Sequence, residues 1–194
     1  MDVAGFLSNA NLFDLVAVLF FMGMFVLGFV QGTIRRILGL ASILFSFLLA
    51  SQLRGPLGSY LATNWTQFPP EYSYMLSYAA VFGFSAILFS IIIQSFYKRQ
   101  QLFKQSQLAD EIIGGLLGLL EGLILVGIMI VILDSYFALS GIPESPNELG
   151  ILRSIYGFYD PSSTAALFRD TLIPIAFTLL GPLIPDEVEA LFGH

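Results

Sequence analysis

A single acidic residue, Glu121, lies inside a long apolar run at residues 112–133, among glycines at helical spacing. Because the run is long enough to cross a bilayer, the sequence predicts the Glu121 carboxyl near the middle of the hydrocarbon layer. An ionisable group there is costly and usually has a function or a specific partner. Three interpretations follow: a protonated carboxyl that donates a hydrogen bond across a helix bundle, a relay for protons or cations, or a contact with another subunit.

Other residue types that carry chemistry are scarce. The sequence contains no cysteine, and its only histidine is His194. Thiolate metal sites, cysteine nucleophiles, bis-histidine sites and Ser-His-Asp triads are therefore disfavoured. We also find no metal-ligand cluster and no phosphate-binding loop. The sequence predicts a protein that is not an enzyme and that binds no cofactor or metal.

The composition indicates an integral membrane protein. Hydrophobic residues make up 56% of the chain and charged residues only 11%, with a mean hydropathy of +0.82. Such a chain has too little polar surface to cover a water-soluble core, so lipid must cover the remainder. The formal net charge of −6 arises beyond Leu133. The acidic balance therefore describes the C-terminal tail, and we expect no nucleic-acid partner.

The apolar runs predict an all-α integral membrane protein with four transmembrane helices, at about 12–30, 37–53, 72–97 and 112–133. Each run is close to the roughly 20 residues that a spanning helix needs. Residues 1–11 would form an extracytoplasmic N-terminus that is not a cleaved signal peptide. Residues 134–194 would form an acidic extracytoplasmic tail with short interfacial helices.

Basic residues near the helix ends predict the orientation. The connection between helices one and two contains Arg35 and Arg36, and that between helices three and four contains Lys98, Arg99 and Lys104. Both connections should be cytoplasmic, which leaves both termini outside. We interpret Arg35 and Arg36 as topology anchors that extend to the headgroups, with binding of anionic lipid or of a partner as the alternative.

The tail contains a further helical pattern. Asp160 and Pro161 suit an N-cap and the first helical position, and apolar residues then recur at helical spacing. Arg169 and Asp170 interrupt this run, and Pro174 should kink it. An interfacial or packed amphipathic helix therefore fits better than a fifth spanning helix. A second short helix is expected from Pro185.

Small residues at four-residue spacing predict close helix packing. The first predicted helix contains Gly28 and Gly32, and the fourth contains Gly114, Gly118 and Gly122. Glycines at this spacing let two backbones approach closely in a membrane. The stripe could serve packing inside the bundle, or contact with a second copy or another membrane subunit.

Acidic residues at two helix starts have a local interpretation. Asp14 follows Asn11 by three residues, which suits an N-cap with an acid in the first turn. Asp110 and Glu111 lie at the start of the fourth helix, where negative charge favours the helix dipole.

These segments resemble a known family. GFVQGTIRRILGLASILFSFLLA at residues 28–50 is similar to the G-x-x-x-G-x-x-R segment and following helix of the colicin V production protein (CvpA) family. DEIIGGLLGLLEGLILV at residues 110–126 is similar to that family's D-x-x-x-G-x-x-x-G-x-x-x-G helix, and Asp14 matches its usual acidic residue. Members can have Arg-Glu at positions 35 and 36 and Arg-Gly at positions 121 and 122, where this chain departs from them.

The resemblance implies an inner-membrane protein linked to toxin production or export and to envelope integrity. We favour a non-catalytic scaffold or accessory subunit that acts by helix packing with other membrane proteins or with a second copy of itself. The alternative is a small oligomeric ion- or proton-coupled transporter or channel that uses Glu121. A water-filled cavity reaching Glu121 would favour the alternative.

Overall fold

The computed structural model describes residues 11–96, 106–139, 148–180 and 183. These ranges are helical almost throughout, which confirms the predicted all-α class. The four long helices are α1 (Leu12–Gln31), α2 (Thr33–Asn64), α3 (Pro70–Phe96) and α4 (Gln107–Phe137). The tail contributes α5 (Gly150–Tyr159), α6 (Ser163–Leu167), a π-helical turn (Phe168–Leu172) and α7 (Ile173–Leu180).

Within the described part of the chain, five helical stretches are long and apolar enough to cross a membrane. Four of them are α1 to α4, and the fifth is the continuous stretch Ser163–Leu180, which is the least apolar of the set. The chain is therefore built as a multi-pass membrane protein. The prediction of four spans is not confirmed as a count, because the tail stretch also meets the length and polarity that a span requires.

Helix α2 is much longer than its apolar run at residues 37–53. It begins at Thr33 and continues through Pro56 to Asn64. Proline has no N–H to donate, so the carbonyl of Gln52, four residues earlier, loses its helical partner. Helix α3 supports this part of α2, because the Ser77 hydroxyl donates to the Arg54 carbonyl at 3.1 Å. Hydropathy identified the part of α2 that is apolar enough to face lipid. The ends of the helix are determined by its caps and by packing against α3.

One residue separates α1 from α2. Gly32 has φ +81°, a left-handed conformation that favours glycine, and its N–H donates to the Gly28 carbonyl at 2.9 Å. The chain thus turns from one long helix into the next without a loop. Beyond this corner the two helices diverge: α1 packs mainly against α4, and α2 packs mainly against α3.

The buried core lies where α2, α3 and α4 meet the tail. Ala50, Tyr72, Met75, Ile130 and Tyr159 are fully buried there. The outer face of α1 is the opposite case, because it exposes a row of large apolar side chains, among them Leu12, Leu19, Met22 and Val30. A surface of this kind needs lipid or another protein to cover it.

Candidate functional site

The glycine stripe of α4 is packed against α1. A Cβ added to Gly28 would lie 2.2 Å from the Gly114 carbonyl oxygen, and one added to Gly118 would lie 2.3 Å from the Met24 carbonyl oxygen. Gly122 faces the Met24 side chain at 3.1 Å instead. Backbone contacts this close require glycine on both helices. The stripe is therefore in contact with α1 within the chain.

The start of α4 closes onto the corner between α1 and α2. The Thr33 hydroxyl donates to the Asp110 carbonyl at 2.9 Å, and Asp110 Oδ2 would lie 2.5 Å from a Cβ on Gly32. Gly32 is thus required for space as well as for its conformation. Asp110 lies in the first turn of α4, as predicted, but its side chain is buried in the corner, with Oδ1 unpartnered in the described part of the chain.

Above this corner, α2 and α4 share a buried ion pair. Arg36 Nη1 donates to Glu121 Oε2, and the two side chains are only 6% and 12% exposed. Gly39, one turn above Arg36, makes room for the carboxyl, because a Cβ there would lie 3.1 Å from Glu121 Oε1. Gly39 is seven residues beyond Gly32, so the pair lies about 10 Å along the helix from the corner.

This geometry corrects two expectations. Arg36 does not extend to the headgroups as an anchor, since the whole residue is 5% exposed and faces Glu121. Glu121 accepts a hydrogen bond from the Arg36 guanidinium, which has only donors, whereas the sequence predicted that its carboxyl would donate one across the bundle. Arg35 is half-buried and pairs with no described carboxylate. Lys98, Arg99 and Lys104 lie outside the described residues.

A crevice of about 420 Å³ opens beside the ion pair. It lies between the end of α1, the first turns of α2, the last turns of α3 and the middle of α4. Glu121 and Arg36 form part of its wall, so a cavity does reach the carboxyl. The full lining is Gln31, Arg35, Arg36, Gly39, Ser42, Ile43, Ala86, Ile87, Ser90, Ile91, Ile93, Glu121 and Leu125.

A second charged cluster lies at the opposite end of the bundle. Arg169 binds both carboxylate oxygens of Asp134, at 2.7 and 2.8 Å, and also Asp160 at 2.8 Å. The Tyr159 hydroxyl donates to Asp134 at 2.7 Å, and burial together with this carboxylate raises the pKa of Tyr159. The Tyr159 hydroxyl therefore keeps its proton, and the cluster fastens the tail to α4.

Asp14 forms a further contact between α1 and the tail. Asn11 caps α1 as predicted, accepting from Phe13 N at 3.2 Å. The Asp14 carboxylate, however, reaches α6, where it accepts from the Thr164 N–H at 2.8 Å and from the Thr164 hydroxyl at 2.7 Å. Its partners lie about 150 residues away in sequence, so local pattern could not identify them.

The tail helix begins later than predicted. Ser162, not Asp160, is the N-cap, and its hydroxyl accepts from Ala165 N at 3.0 Å. The π-helical turn directly precedes Pro174, where a tight α-helical turn would bring the proline ring against the carbonyl four residues earlier. The helix expected from Pro185 lies outside the described residues.

Among the residues that the structure describes, no group of histidine and acidic side chains could hold a metal ion. In comparisons with known proteins, a family model with the description Colicin V production protein matches residues 13–160. Searches of curated proteins and of solved structures found no match. The matched range contains the glycine contacts, the α1–α2 corner, the Arg36–Glu121 pair and the crevice, but not Arg169.

Proposed function

The chain belongs to the colicin V production protein family, and from that premise we propose that it is a non-catalytic scaffold or accessory subunit for toxin production or export. The observation that supports this role is the engagement of Glu121 by Arg36. A relay carboxyl must take up and release an ion in each cycle. A carboxylate held by a buried guanidinium instead suits a fixed structural position.

The proposed role requires a surface for partners. Because α1 and α4 use their glycine stripe on each other, partners would bind elsewhere. The outward face of α1 is one candidate, with Leu19 at 67% exposed and Val30 at 62% exposed. Another membrane subunit or a second copy of the chain would cover this face within the inner membrane, and lipid covers it otherwise.

A second function has support from the crevice. The cavity of about 420 Å³ reaches Glu121, which favours an oligomeric ion- or proton-coupled transporter or channel. In that case the Glu121 carboxyl would have to leave Arg36 and bind its cargo during each cycle. The two functions therefore differ in whether the charges of Arg36 and Glu121 are needed for activity.

Removing both charges tests the proposal. In the scaffold role, Arg36→Met combined with Glu121→Met should keep toxin production or export at the wild-type level, because an apolar pair of similar volume often replaces a buried ion pair without loss of stability. The measurement is the toxin or envelope-integrity assay in cells that express the full chain, with its membrane level followed by immunoblot.

The single variants are the control for this experiment. Arg36→Met or Glu121→Met alone leaves one buried charge uncompensated, so the membrane level should fall. A double variant that accumulates normally but has lost activity would contradict the scaffold role and support ion or proton coupling.

A further inference from the structure

The crevice beside the ion pair has a polar end and an apolar end. Gln31 and Arg35 lie at the corner end, while Ile43 and Leu125 lie deeper. From Arg35 to Ile43, both on α2, the lining extends over about 12 Å, at a rise of 1.5 Å per residue. The surface therefore changes from charged to apolar along the direction in which a lipid changes from headgroup to acyl chain.

Arg36 contributes to the crevice wall as part of the ion pair. Its Nη1 donates to Glu121, and its Nε is buried without a hydrogen bond in the described part of the chain. Because Nε has almost no accessible surface, a ligand in the crevice would not contact it. Arg35 also lines the crevice and is half-buried, so its guanidinium is the one that a ligand can reach.

The local charge favours an anionic acceptor. Glu121 compensates the charge of Arg36, so that the pair contributes no net charge to the crevice wall. Arg35 lies beside them, half-buried, and pairs with no described carboxylate. One positive charge therefore remains at the polar end, and guanidinium groups bind phosphate oxygens in a planar, bidentate geometry.

The apolar part of the crevice is open toward lipid. Ile87 and Ile91 on α3 form one side, and they are 63% and 57% exposed. Helix α3 is one of the candidate spans, so these side chains face the hydrocarbon layer. An occupant can therefore enter sideways from the membrane and keep an acyl chain along this wall.

We propose that the crevice between α2 and α3 binds one anionic phospholipid, with its phosphate against Arg35 and an acyl chain along Ile87 and Ile91. The volume of about 420 Å³ suits a headgroup and the first part of a chain rather than a whole lipid. The proposal is independent of the scaffold role, since lipid selectivity can be lost while assembly is kept.

Native mass spectrometry of the full chain tests this site. The protein is exchanged into lipid mixtures in which dioleoyl-phosphatidylglycerol and dioleoyl-phosphatidylcholine are equal in amount, so that only the headgroup differs. We expect retention of phosphatidylglycerol in preference to phosphatidylcholine. Arg35→Gln should lower the retained anionic lipid about fivefold, because one basic residue near a membrane surface contributes about that factor.

Two matched pairs of variants separate binding from folding. Arg35→Lys keeps the charge and should retain more of the lipid than Arg35→Gln, although an ammonium cannot bind the phosphate in a bidentate geometry. Ala86→Leu fills the crevice from α3 and should expel the lipid, whereas Gly83→Leu lies on the same helix with no atom within 4 Å and should not.

Three results would overturn the proposal. The first is equal retention of the two lipids, and the second is unchanged retention in both Arg35→Gln and Ala86→Leu. The third is displacement of the lipid by soluble glycerol phosphate at equal concentration, which would assign the site to a free phosphate.

Discussion

At the scale of single residues, the buried charge of Arg36 and the buried charge of Glu121 each account for the presence of the other. By the resemblance, members of the family can have Glu at position 36 and Arg at position 121, which are the same two charges with their signs exchanged. Since the structure puts the two side chains in contact, the two departures form one compensated ion pair.

Exchanging the two charges should preserve this pair. Arg36→Glu alone brings two buried carboxyls together, and Glu121→Arg alone brings two guanidinium groups together, so each should lower the free energy of unfolding by about 3–5 kcal/mol. The double exchange should recover more than half of that loss. Thermal unfolding of the purified protein in detergent, followed by circular dichroism, measures the effect.

Arg35→Glu is the matched control, because it changes the net charge equally at a half-buried neighbour that pairs with no described carboxylate. Its effect on unfolding should be near 0.5 kcal/mol. If the double exchange were as unstable as the sum of the two single variants, the two side chains would not interact.

The sequence identified Glu121 but not its partner. An acidic residue in an apolar run is visible to inspection, whereas the two partners are 85 positions apart and no periodic signal relates them. Arg36 was interpreted as an anchor because an arginine near a helix end commonly reaches the headgroups. Burial of the whole Arg36 side chain depends on Gly39, which makes room for the Glu121 carboxyl. This dependence arises from tertiary contacts.

At the scale of helices, the α1–α4 contact depends on individual glycines to different degrees. Gly28→Ala and Gly118→Ala place a methyl group against the backbone of the facing helix, which cannot move aside, so each should destabilise the protein by about 1–3 kcal/mol. Gly122→Ala meets the flexible Met24 side chain and should cost less. Unfolding midpoints of the three variants give the comparison.

Gly83→Ala provides the baseline for this series. It lies in α3 with no atom within 4 Å of the added methyl, so it should be neutral or stabilise the helix by up to about 1 kcal/mol. Equal losses at all four glycines would mean that the effect comes from the helix itself and not from contact between α1 and α4.

Periodicity predicted the middle of each long helix but not its ends. The run at residues 37–53 located α2, yet the helix extends eleven residues further, to Asn64, because Pro56 is accommodated and α3 supports the extension. In the tail, Ser162 and not Asp160 is the N-cap of the helix. Caps and prolines act locally, but which of them prevails depends on contacts that only the fold provides.

At the scale of the whole molecule, the long helices give the bundle two distinct ends. Gly32 and Asp110 meet at one end, and Asp134, Arg169 and Asp14 join the tail at the other. The positive-inside rule predicts that the Gly32 end is cytoplasmic.

Labelling of introduced cysteines tests this orientation, and the chain has none of its own. Ser59, Ser106 and Ser154 are exposed, the first and third at the tail end and the second at the Gly32 end. In intact cells an impermeant thiol reagent should label Ser59→Cys and Ser154→Cys but not Ser106→Cys. Labelling of Ser106→Cys alone would reverse the orientation, and permeabilised cells serve as the control in which all three react.

The sequence separation in the ion pair also has a consequence for biosynthesis. The ribosome completes Arg36 a full 85 residues before Glu121, so α2 enters the bilayer while its carboxylate does not yet exist. The ion pair can therefore form only after α4 has also been made, and until then the bilayer has to accommodate the arginine without Glu121.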